Sequence, residues 1–137
     1  MKTILTSLCT LGGCTAARWY LDRPSRRQTE YAAGHVRLTT LWNEDAAFGL
    51  KIPAEVLLSL SGAALGTVWT QRYRSPVGAG LILGGGLSNL VERARHKCVY
   101  DYVQFPKAPT PLSKYVFNLA DFAVIAGGIL LAAGRKK

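Results

Sequence analysis

The sequence predicts an all-α polytopic membrane protein: four transmembrane helices, with a small extracytoplasmic connector that contains β structure. Three observations predict it. Of the 137 residues, 49% are hydrophobic and only 18% charged, and the mean hydropathy is +0.13. The apolar residues are pooled into four long blocks, and the charges lie between them. Each block approaches the roughly 20 residues that a spanning helix needs. The length suits one domain, so residues 1–137 are expected to form a single membrane unit.

The first predicted span covers residues 3–21. Met1-Lys2 precedes it, Trp19-Tyr20 stands where an interfacial aromatic belt would lie, and Arg18 can snorkel to headgroups. A rival reading is a lipobox at Leu11-Gly12-Gly13-Cys14, which would make Cys14 a lipidated mature N-terminus. The second span covers residues 53–70. Pro53 suits a first helical position, Glu55 falls in the first turn, and the block is apolar all round. The third covers residues 76–91 and is rich in glycine. Gly80, Gly84 and Ser88 form a small-xxx-small face along which a neighbouring helix can approach closely. The fourth covers residues 115–134, followed by Arg135-Lys136-Lys137. Residues Thr29 to Trp42 alternate in the manner of short strands, which predicts a small sheet at the membrane surface.

The formal charge is +9, from 17 Lys and Arg against 8 Asp and Glu. The basic residues are scattered over several connectors and line no single element, which argues against nucleic acid and for membrane lipids as the contact. The three cysteines, Cys9, Cys14 and Cys98, match no zinc pattern and no disulfide framework. No metal and no cofactor are expected.

Carboxylates at membrane depth are expensive, so each one near a span invites a functional reading. Asp121 falls about two turns into the fourth block, three residues after Asn118, where pairing with Arg93 is the structural alternative. Asp101 follows the third block and alone would be an ordinary loop acid. Antiparallel neighbours bring the end of the third span beside the start of the fourth, so the two acids can meet. Two close carboxylates cannot both ionise cheaply and come to share a proton. The charged member can then take a proton from water while the neutral one donates to a scissile carbonyl. That is peptide hydrolysis.

Leu83-Gly84-Gly85-Gly86-Leu87-Ser88-Asn89-Leu90-Val91-Glu92-Arg93, then Val99-Tyr100-Asp101-Tyr102, then Val116-Phe117-Asn118-Leu119-Ala120-Asp121 resemble the prolipoprotein signal peptidase (signal peptidase II) family. Trp42-Asn43-Glu44-Asp45-Ala46-Ala47-Phe48 resembles its Asn-x-Gly-Ala-Ala-Phe segment. The resemblance implies a catalytic pair at Asp101 and Asp121, with Asn43, Asn89, Glu92, Arg93 and Asn118 as substrate-binding or supporting residues. For Asn89, Arg93 and Asn118 the structural alternative is helix–helix hydrogen bonding. The chain departs from the family pattern at Glu92 (usually Asp), Asp45 and Ser88 (usually Gly), and at Asp22-Arg23-Pro24-Ser25-Arg26 in place of Asp-x-x-x-Lys.

The implied activity is aspartyl endopeptidase cleavage of diacylglyceryl-modified prolipoproteins, just before the lipid-modified Cys, in the bacterial cytoplasmic membrane. The alternatives are a weak or inactive paralogue that binds lipidated peptides or scaffolds a complex, and a small transporter or proton channel using the acids as a relay. For topology, the Lys and Arg count alone favours termini outside, with six of 17 on the terminal side. The resemblance implies cytoplasmic termini.

Overall fold

The computed structural model describes residues 1–45 and 50–134. Ala46, Ala47 and Phe48 of the Asn43 segment, and the tail Arg135-Lys136-Lys137, lie outside the described residues. Among the described residues there are four α-helices: α1 (Lys2–Leu21), α2 (Ala54–Thr70), α3 (Pro76–His96) and α4 (Leu119–Ala133). Four strands, β1 (Glu30–Tyr31), β2 (Val36–Asn43), β3 (Val99–Gln104) and β4 (Val116–Phe117), form one antiparallel sheet in sequence order.

Two expectations are corrected. The protein is not an all-α four-span bundle: it is a helical layer joined to a four-stranded sheet. Among the described residues no helix is long and apolar enough to cross a membrane. The reasons are length and composition. With 15 and 17 residues, α4 and α2 extend only about 22 and 25 Å at 1.5 Å per residue, against a hydrocarbon core of about 30 Å. The 20-residue α1 and 21-residue α3 are long enough. However, α1 is interspersed with Thr and Ser, and α3 ends in Glu92-Arg93-Ala94-Arg95-His96.

The second correction concerns where α4 starts. Tyr115, Val116 and Phe117 are apolar and look like helix in a hydropathy profile. In the fold, Val116 and Phe117 pair with Gln104 and Val103 of β3. Asn118 is therefore the N-cap, and Asp121 occupies the first turn of α4 instead of lying two turns deep. The sheet also extends beyond the predicted Thr29–Trp42 region. The β-branched and aromatic run Val99-Tyr100-Asp101-Tyr102-Val103 forms its buried third strand.

The helices are organised around α3, which packs on α1, α4 and, less extensively, α2. Small residues make this possible. A Cβ on Gly84 would lie 2.5 Å from the Ser7 carbonyl oxygen of α1, and Gly78 and Gly127 meet backbone to backbone between α3 and α4. Gly84→Ala is expected to destabilise the protein by about 1–3 kcal/mol, because the obstacle is rigid backbone. Gly128→Ala, whose Cβ would meet nothing within 4 Å, is expected to be neutral or stabilising. Thermal unfolding of the two variants in parallel checks this.

Lys97 ends α3 in the left-handed conformation (φ 62°), with its N–H donating to the Arg93 carbonyl. This turn reverses the chain directly into β3 and brings Asp101 back toward the ends of α3 and α4.

Candidate active site

Each acid is delivered by a different element. Asp101 lies in β3 and is 4% exposed. Opposite it on β2 stands Leu41, while Leu38 pairs with Val103. Three residues of β2 thus span two of β3, a β-bulge. The extra residue resets the alternation, so Asn43 shares the Asp101 face. There the Asn43 side-chain amide donates to Asp101 Oδ2 at 3.0 Å.

Asp121 arrives through the cap of α4. Asn118 Oδ1 accepts from the Asp121 N–H at 3.0 Å, and Asp121 Oδ2 accepts from the Asn118 N–H at 2.9 Å. This reciprocal pair is a capping box. The Asn118 side-chain amide then donates to Asp101 Oδ1 at 2.8 Å and to Asn89 Oδ1 at 3.1 Å. Asn89, on α3, donates its own amide to Asp121 Oδ1 at 3.0 Å. Asn118 therefore touches both carboxylates at once, and each of the four carboxylate oxygens has an N–H donor.

The predicted residues Asn43, Asn89, Asn118, Asp101 and Asp121 are thus brought into one network. The other two stand beside it. Arg93 donates to the carbonyls of Asp45 (3.0 Å) and Glu44 (3.4 Å), so it holds the chain that follows Asn43. Glu92, 5% exposed, makes a 2.8 Å ion pair with Arg18 of α1. The sequence assigned Arg18 to headgroup contact; the fold turns it inward.

Sequence reasoning missed Tyr102, whose phenolic oxygen accepts the Leu119 N–H at 2.9 Å and so caps a second amide at the start of α4. Its position two residues after Tyr100 on a strand was the available signal. Cys14 is buried against Ser88, with Tyr102, Asn89 and Asn118 around the same small cavity. Cys9 is exposed, and the Cys98 thiol donates to the His96 carbonyl.

Burial dominates the electrostatics of Asp101 and pushes its carboxyl up to about 6. The Asn43 and Asn118 donors pull it down, and the nearby charge of Asp121 pushes it further up. A carboxyl in that range can hold or release a proton near neutrality, as general acid–base chemistry requires.

The family profile described as "Signal peptidase (SPase) II" matches residues 14–134. This chain belongs to the signal peptidase II family. The lipoprotein signal peptidase of Nitrobacter hamburgensis is 36% identical over 106 residues, covering 69% of this chain and 65% of that protein. That of Methylorubrum extorquens is 38% identical over 107 residues, covering 69% and 61%. That of Syntrophomonas wolfei is 38% identical over 120 residues, covering 82% and 74%. The match thus spans just under two thirds of the length of the first two relatives. Two solved bacterial membrane enzymes, determined by the in meso method at 2.3 and 1.9 Å, share the fold with TM-scores of 0.80 and 0.79. They are 18% and 17% identical, and the superpositions cover 96% of this chain and 85% and 90% of theirs. The helices and the sheet thus form together the arrangement seen in those two structures.

Proposed function

We propose that this chain is an aspartic endopeptidase that removes the signal peptide from lipid-modified prolipoproteins, with Asp101 and Asp121 as the catalytic pair. The observation that carries this reading is the joint hold of Asn118 on the two carboxylates. Family membership supports the substrate class.

The two acids take different roles. Burial raises the Asp121 carboxyl as well, and the Asn118 N–H, the Asn89 amide and the charge of Arg93 oppose that rise; at the N-terminus of α4 the helix dipole also favours its negative form. Asp121 is the base that removes a proton from the attacking water. Asp101, in its dry strand position, holds the proton and donates it to the scissile carbonyl oxygen. Water oxygen bonds to the carbonyl carbon, giving a tetrahedral diol. In the return step the proton on Asp121 passes to the amide nitrogen, one diol hydroxyl returns its proton to Asp101, and the C–N bond breaks. Asn43, Asn89 and Asn118 hold the carboxylates in place, and Arg93 holds the Glu44–Asp45 backbone at the rim.

The substrate would be presented at a membrane. Large apolar side chains stand outward on every helix, among them Ile4 and Leu8 on α1, Leu60 on α2, Leu87 on α3 and Ile129 on α4. Arginines also stack on aromatic rings at two helix ends. Arg23 lies 4.3 Å from the Trp19 ring centre, and Arg72 lies 4.2 Å from those of Trp69 and Tyr73. An apolar outer surface bounded by such clusters suits contact with acyl chains and headgroups. Flotation of the expressed protein with bilayer vesicles tests the placement, and recovery in the soluble fraction would refute it.

For the activity, the purified protein in detergent is incubated with a precursor peptide bearing a diacylglyceryl Cys. Mass spectrometry is expected to find cleavage on the N-terminal side of that Cys. An intact precursor would overturn the assignment.

The proton on Asp101 also sets a pH dependence. Activity requires its neutral form, so kcat/KM, which reports the free enzyme, is expected to fall as pH rises through about 6. Asn43→Ala removes a donor that favours the ionised form. The basic limb of the profile is then expected to move to higher pH. A limb that stays put or moves down would remove Asp101 from the acid role.

A further inference from the structure

Every fourth residue of α3 forms one row against α1. Gly80 faces Thr3 and Thr6, Gly84 faces Ser7 and Thr10, and Ser88 faces Cys14. The last rung is the Glu92–Arg18 pair, at 2.8 Å. The first three rungs are small or uncharged and fix only how close the helices lie. The last is directional, because a carboxylate must meet a guanidinium to be satisfied. It stands at the end of α3 that carries the site: Asn89 lies three residues before Glu92, on a neighbouring line of the same helix surface. Asn89 in turn sets Asp121 through its amide and Asn118 through its carbonyl oxygen.

We propose that Arg18 is a positioning residue for the catalytic pair, acting through Glu92 and Asn89 on Asp121; this rests on the aspartic peptidase reading above. A buried carboxylate that loses its cation is left uncompensated, and that cost is larger than the value of the intact pair. Glu92 has somewhere to go. On its outer side lies a cleft of about 440 Å³ that it lines with Arg18, Trp42, His96 and Tyr100. Without Arg18, the Glu92 side chain swings toward this space and turns the end of α3. Asn89 then loses its aim at Asp121 Oδ1. The pair also depends on length: Glu92→Asp withdraws the carboxylate by one methylene and leaves Arg18 out of reach.

The test compares Arg18→Met, Arg18→Lys, Glu92→Asp and the double variant Arg18→Met/Glu92→Gln with wild type, at a temperature well below all their melting points. Arg18→Met and Glu92→Asp are expected to lower kcat roughly tenfold with little change in KM, because orientation is lost while substrate contacts remain. Arg18→Lys is expected to recover most of the rate. The double variant is expected to exceed Arg18→Met, since it buries no unpaired charge. The Asn89 side-chain amide resonance is followed in parallel and is expected to shift in Arg18→Met. Loss of melting temperature with kcat and the Asn89 resonance unchanged would reduce the pair to a structural tie and overturn the proposal. Should wild type cleave no precursor, the peptidase reading fails separately, and the resonance alone decides: a shift upholds the coupling of Arg18 to Asn89, and its absence ends it.

Discussion

Asp101→Asn and Asp121→Asn are each expected to lower kcat by about 10³-fold or more while KM for the lipid-modified precursor stays within a few-fold. Acid–base catalysis by positioned groups supplies about 10²–10⁴ in rate, and two acids that act as one unit fail together when either is lost. The double variant is therefore expected to be no slower than the single ones. Undiminished cleavage by either would refute the catalytic pair. The same substitution has a second, independent signature in stability. Burial raises the Asp101 carboxyl to about 6, whereas an unfolded aspartate titrates near about 4. The native state thus holds this proton more tightly than the unfolded chain. The resulting stabilisation is complete below about pH 4 and is lost as pH rises through about 6. Across that window the wild type is expected to lose about 3 kcal/mol relative to Asp101→Asn. Denaturant unfolding at pH 4 and pH 7 measures the difference, and parallel pH dependences for the two proteins would contradict the raised carboxyl.

What the sequence could show depended on how local each feature is. The apolar blocks located α1, α2 and α3, because a run of side chains without a polar face is visible residue by residue. Whether those blocks are long and apolar enough to span depends on the helix ends that the fold sets: α2 stops at 17 residues, α3 carries Glu92 to His96, and α4 begins only at Leu119. The start of α4 depends on whether Val116 and Phe117 pair with Gln104 and Val103 of β3, a contact between segments separated in sequence that a hydropathy profile does not record. Asn118-x-x-Asp121 was a capping-box pattern in plain view. Read as a helix face instead of a helix start, it placed Asp121 too deep. The cost of a carboxylate in an apolar block singled out Asp121, the family resemblance supplied Asp101 and the three asparagines, and the fold gathers all five into one network. The bulge that turns Asn43 toward Asp101 left no local mark, because it is a mismatch between two strands and belongs to neither alone. Arg18 was misassigned for a similar reason. A basic residue near an apolar helix end suits headgroups on composition, and only the approach of α3 supplies Glu92.

Asn118→Ala is the most damaging change expected outside the two acids, because one side chain serves two elements and two functions. It closes the first turn of α4 by accepting from the Asp121 N–H, and loss of such a cap costs about 1 kcal/mol. Its amide is also a donor to Asp101 and a link to Asn89. Alanine leaves Asp101 Oδ1 buried without that donor, at a further cost of about 1–3 kcal/mol. A total near 2–4 kcal/mol is expected, read as a lower denaturation midpoint with unchanged slope. The activity loss is expected to be about 10²-fold, between the effect of the acids and that of a remote residue, because both carboxylates remain but neither is held. Asn118→Asp separates the two functions. Aspartate is as good a helix cap, so the stability at low pH is expected to return. As an acceptor it cannot donate to Asp101, and at neutral pH it adds a third negative charge to the pair, so cleavage is expected to stay low. If Asn118→Asp instead restored turnover, the shared amide would be a cap alone, and the two carboxylates would owe their geometry to Asn43 and Asn89.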